Sequence, residues 1–103
     1  MPSISLVYDH YLTPDQVPEV AEEALHRILV GEFGAKNLTV EKTISGDVVF
    51  DFNFGSAFIS GKIKVYKSHF DMILKVPLLV SLYRSKITEE LDKHIPKYFG
   101  EQK

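Results

Sequence analysis

Apolar and polar residues alternate along most of this chain, and where the alternation stops a helical period takes over. In residues 3–11, Ile4, Leu6, Tyr8 and His10 alternate with Ser5, Val7, Asp9 and Tyr11, the period-two signature of a strand whose two sides meet different surroundings. Val7 and Tyr11 interrupt the otherwise polar side. Thr13 and Gln16 then stand at capping-box spacing and Pro14 suits a first helical position, whereas Pro18 favours a start at Asp15. Val17, Val20, Ala21, Ala24, Leu25, Ile28 and Leu29 form one apolar stripe, with Glu19, Glu22, Glu23 and Arg27 mostly opposite. Gly31 and Gly34 supply the stop.

Four further alternating runs follow. Residues 38–44 place Leu38, Val40 and Ile44 on one side, and Ser45-Gly46-Asp47 signals a tight hairpin. Val48–Phe54 gathers Phe50, Phe52 and Phe54 on its core side. Residues 58–66 set Ile59, Gly61, Ile63 and Val65 against Ser60, Lys62, Lys64 and Tyr66; residues 69–76 set Phe70, Met72, Leu74 and Val76 against His69, Asp71, Ile73 and Lys75. Pro77-Leu78-Leu79 leads into a last helix over 81–95, with Leu82, Tyr83, Ile87, Leu91 and Ile95 along one side and Pro96 at its end. The order β-α-β-β-β-β-α predicts an α+β fold: an antiparallel sheet with two helices packed on one face. Which edge of the sheet the first strand occupies is not settled by the pattern; a place beside the last strand, antiparallel to it, is preferred. The chain reads as a single α+β domain over 1–103, with 96–103 expected to fray.

Composition narrows the function classes. At 103 residues and 45% apolar content the chain can bury one core, and it contains no apolar run of the ~18 residues a membrane span requires. The start, Met1-Pro2-Ser3-Ile4, lacks the basic-then-apolar pattern of a signal peptide, so a cytoplasmic location is expected. With no cysteine, a disulfide framework, a thiolate zinc site and a cysteine nucleophile are all excluded. The net charge of −2 divides unevenly: residues 1–60 carry three Lys/Arg against nine Asp/Glu, and residues 61–103 carry nine against five. Such asymmetry suits association with an acidic partner or a second copy, and also two ordinary solvated faces.

Candidate chemistry is sparse. His69 and Asp71 share a strand side with Lys75, which an acid–base pair or half a metal site requires, but no third ligand stands at motif spacing and a solvated strand gives the same pattern. His26 falls on a helix flank, and His94 in the last helical turn suits the negative helix end. His10 follows the inward positions of its strand, where an imidazole bonded to nearby backbone competes with a functional role. The glycines form no phosphate loop, and no cofactor is expected. Phe58, Lys62, Lys64, Tyr66 and Lys75 have the basic and aromatic make-up of a single-strand nucleic-acid surface, but the total charge and strand order argue against one.

The C-terminal half carries a resemblance. Ile59-Ser60-Gly61-Lys62-Ile63-Lys64-Val65, then Val76-Pro77-Leu78-Leu79, then Tyr83 and the run Lys86-Ile87-Thr88-Glu89-Glu90-Leu91-Asp92-Lys93 are similar to the small bacterial polyhydroxyalkanoic acid system proteins. The likeness extends upstream to His10-Tyr11-Leu12; the aromatic strand Phe50-Asp51-Phe52-Asn53-Phe54 and Val80-Ser81-Leu82 depart from it. The resemblance implies association with polyester storage granules or granule proteins, and no catalytic residues. A non-enzymatic accessory protein is therefore expected, against the alternative of a small ligand-binding domain or enzyme with a pocket between sheet and helices.

Two surfaces are expected. Residues 77–83 hold more large apolar side chains than one connection can bury, with Leu82 and Tyr83 fitting the core side. Leu78, Leu79 and Val80 beside Arg84 and Lys86 are then a candidate docking surface for a negatively charged apolar body such as a granule coat. Val49, Phe58, Tyr66 and Ile73 lie on outward strand sides and are the candidates for self-association as a homodimer, by sheet packing or by pairing of an edge strand.

Overall fold

The alternating runs form one five-stranded antiparallel sheet in the computed structural model, which describes residues 2–100. Its strands are β1 (Ser3–Asp9), β2 (Lys36–Lys42), β3 (Val48–Phe54), β4 (Ala57–Val65) and β5 (His69–Lys75), in the order β1-β5-β4-β3-β2. The first strand thus lies beside the last, antiparallel, which decides between the two edges the pattern left open. Register follows hydrophobicity: Leu6 pairs with Met72, Met72 with Ile63 and Ile63 with Val48, so one face of the sheet is apolar across four strands. Phe50 pairs with Gly61, and its ring lies where a Gly61 Cβ would stand. A side chain there would have to displace a core aromatic, which accounts for the glycine in mid-strand.

Both helical layers cover that apolar face. α1 (Val17–Leu25) buries Val17, Ala21, Ala24 and Leu25, and its entry is half of the expected capping box: the Thr13 N–H donates to Gln16 Oε1 at 3.0 Å. The helix begins at Val17, so Pro18 sits in the first turn, where no hydrogen bond is lost. Residues His26–Glu32 then continue as a π-helical turn, in which the Phe33 N–H reaches back five residues to the Ile28 carbonyl (3.0 Å). The wider turn still buries Ile28 and Leu29, and Gly34 at φ 73° takes the chain out of it.

Three departures have local causes. Ile44 lies in the 43–47 turn and is fully exposed instead of facing the core, because Thr43 and Asp47 close the turn around it: the Thr43 N–H donates to the Asp47 carbonyl at 2.8 Å. The predicted helix over 81–95 is two helices, α2 (Leu78–Ser81) and α3 (Arg84–His94). The Ser81 hydroxyl donates to the Leu78 carbonyl (2.6 Å), and the Leu82 N–H turns to Leu79 (3.3 Å), so the helical ladder breaks there. Leu82 and Tyr83 consequently point outward instead of into the core. Finally, the part of 96–103 that the structure describes is not frayed: Ile95–Tyr98 form a 3-10 turn that delivers Phe99 onto Phe70, ring centroids 4.7 Å apart, at 1% exposure. A buried phenyl is worth about 2 to 3 kcal/mol, ample to hold a short tail. Residues 101–103 lie outside the described part.

Candidate docking surface

Four large apolar side chains stand out of the surface within six residues: Leu78 is 70% exposed, Leu79 74%, Leu82 74% and Tyr83 66%. The lip spans the break between α2 and α3, where Leu82 and Tyr83 face outward instead of to the core side expected of them. Of the residues expected to dock, Leu78 and Leu79 are at its tip, while Val80 is half-buried and packs on the core. Arg84 and Lys86 flank it. The Arg84 Nη2 donates to the Ser3 carbonyl (2.9 Å), and Lys86 pairs with Glu90 at 3.4 Å.

Behind the lip a cleft of about 700 Å³ opens between the π-helical turn, the sheet and α3. Phe33, Phe52, Ile59, Leu79, Tyr83 and Ile87 are among its walls, and Glu32, Lys86 and Glu90 are its charged members. Leu79 and Tyr83 belong to both lip and cleft, so the exposed apolar surface continues inward. Desolvation beside the cleft opposes ionisation of Glu90, yet Lys93, Lys86 and His94 together outweigh it and hold the carboxyl below its ordinary range. A pocket between sheet and helices was the alternative the sequence left open, but its lining was not named there, and Phe54, read as core, is half-exposed at a strand end.

The histidines are accounted for by structure. His10 is 2% exposed; its Nε2 lies 2.9 Å from the Tyr66 carbonyl, and its Nδ1 accepts the Leu12 N–H at 3.3 Å. Those partners assign the neutral imidazole protonated on Nε2. The ring stacks on Phe70, and among the described residues His10 is the one polar side chain counted as buried beside the core. His69 stacks on Tyr66 and lies 3.9 Å from Asp71. His26 is exposed, and His94 lies 3.8 Å from Glu90. No three metal-ligating side chains converge among the described residues. Tyr8 is the other buried ionisable group: burial first, then the hydrogen bond it donates to Asp92 (2.8 Å), keeps its hydroxyl protonated.

The candidates for self-association are spread over the outer sheet face. Val49 and Ile73 lie in one cross-strand row with Lys62 between them. Phe58 and Tyr66 stand at opposite ends of β4, roughly 26 Å apart at strand rise. The structure therefore brings two of the four near each other and leaves the others separate.

No helix among the described residues is long and apolar enough to cross a membrane. No curated protein and no solved structure matches the chain. A family model does, over residues 4–99, which takes in the sheet, the lip and Phe99 alike; its description is "Putative polyhydroxyalkanoic acid system protein". The chain belongs to that family.

Proposed function

We propose that the chain is a non-enzymatic accessory protein of the cytoplasm that docks on polyhydroxyalkanoate granules through the lip at residues 78–83. The observation that carries this reading is the exposure of Leu78, Leu79, Leu82 and Tyr83 together. Scattered apolar residues are common on any surface, but four grouped at one corner mark an interaction site. Arg84 and Lys86 add the cationic rim that suits a negatively charged coat, and family membership supplies the system to which such a surface belongs. The test is co-sedimentation with amorphous polyhydroxyalkanoate particles. Leu79→Asp, at an exposed position, keeps the circular dichroism and melting temperature of the wild type and loses about tenfold in binding, the effect of removing one well-buried anchor. Equal binding by the folded variant would contradict the proposal.

The cleft favours a second reading, a ligand-binding domain for an apolar chain. Its walls are apolar and its volume lies in the range of small-molecule sites. Saturable binding of a free 3-hydroxyacyl oligomer, with shifts at Phe33 and Ile87 in solution spectra, would favour this reading over surface docking.

A further inference from the structure

The sheet has two edges, and they are built differently. On β2 the ladder shifts register between Lys36 and Thr39, Asn37 adopts φ 57°, and Lys36, Glu41 and Lys42 line the strand. A bulge and edge charges are the devices that keep an edge from pairing. β1 has neither: its seven residues pair with β5 in unbroken register, and Asp9, at its end, is its sole charge.

The direction of its free main-chain groups follows from the ladder. The Pro2 carbonyl accepts from the Val76 N–H (3.0 Å), and the His10 N–H donates to the Ser68 carbonyl (3.0 Å), so the even residues face β5. Ser3, Ser5, Val7 and Asp9 therefore present theirs to the open side. The Tyr11 N–H is taken by the Phe99 carbonyl (3.0 Å), which closes the edge beyond Asp9; Arg84 holds the Ser3 carbonyl at the other end. Neither Asp9 nor Arg84 has an ion-pair partner among the described residues.

We infer that β1 pairs antiparallel with β1 of a second copy of this chain, about a two-fold axis through Leu6, joining the two sheets into one. In that register Ser5 faces Val7 of the second copy and Ser3 faces Asp9 of the second copy, where the Ser3 N–H joins the ladder while its carbonyl stays with Arg84. Each Arg84, fixed at Ser3, then meets the carboxylate of the other copy's Asp9, and both otherwise unpaired charges are satisfied twice. Shifting the axis to Val7 moves Asp9 opposite Ser5 and away from Arg84, so charge selects the register as well as the partner. Leu6 meets its own copy on the apolar face, and Val7, 66% exposed, gains a neighbour on the outer one.

The experiment is sedimentation equilibrium from low to high micromolar concentration, paired with amide hydrogen exchange. The wild type moves from 11.7 kDa toward twice that mass, and the Ser5 and Val7 amides become protected as it does. Asp9→Arg and Arg84→Asp each weaken association about tenfold, and the double variant recovers it, an outcome misfolding cannot imitate. Val7→Lys, at an exposed position, gives a folded monomer. A wild type that stays monomeric overturns the inference. So does a dimer whose Ser5 and Val7 amides exchange freely, one that survives Val7→Lys, or a double variant no better than the singles.

Discussion

At the scale of single residues, the buried polar side chains among the described residues have hydrogen-bond partners. His10 has a backbone acceptor for its proton and a backbone donor for its lone pair, and Tyr8 has Asp92. Among the described residues no buried side-chain nitrogen or oxygen lacks a hydrogen-bond partner. Both ring nitrogens of His10 are engaged by backbone groups, which gives the imidazole a structural role in this fold. His10→Ala is expected to cost about 3 kcal/mol, from the lost ring contact on Phe70 and two stranded backbone groups. Chemical denaturation measures that loss, and particle binding well below the melting midpoint stays at the wild-type level. Reduced binding by a folded His10→Ala protein would give this histidine a role that its geometry does not.

At the scale of elements, alternation made the strands legible because a half-buried sheet repeats every two residues, and Met72 and Ile63 cannot change sides without exposing the core. Even the pairing of β1 with β5 was within reach. What sequence pattern missed depends on single hydrogen bonds. A π-helical turn and an α-helical one use the same apolar residues, so 26–32 gave no signal. The break after Ser81 is a change to i→i−3 bonds at Leu82 and Tyr83 beside the Ser81 hydroxyl contact, and it goes with the outward placement of both side chains. Phe99 sits beyond a proline in a polar tail, where only tertiary packing on Phe70 identifies it as core. The exposed lip was legible in part: the excess of apolar residues was visible, and which of them face outward was not.

The charges on α3 add a pH dependence to that element. Glu90 has its carboxyl held down in the folded state, so its contribution is present above the ordinary value of 4.5 and is lost as pH falls through the lower folded value. The melting temperature of Glu90→Gln should therefore lie below that of wild type at pH 7, with the gap closing under pH 4.5. A gap that stays constant down to pH 3 would remove Lys86, Lys93 and His94 as its cause.

At the scale of the whole molecule, the sheet separates two unlike surfaces. The outer face mixes Lys62, Lys64 and Lys75 with Asp51 and Asp71, whereas the helical side carries the lip and the cleft. An axis through Leu6 stands normal to the sheet, so paired copies keep both lips on one side. Under the proposed pairing, two lips on one side would make the proposed granule binding bivalent, which raises avidity without any new contact.

The docking claim itself is tested most directly at Tyr83, because the chain contains no tryptophan and Tyr83 is exposed at the centre of the break. Tyr83→Trp places a single reporter in the lip. On addition of amorphous polyhydroxyalkanoate particles its emission should shift to the blue and become inaccessible to iodide, as the indole leaves water for the polyester surface. Unchanged emission and full quenching, under conditions where the protein sediments with the particles, would contradict the account.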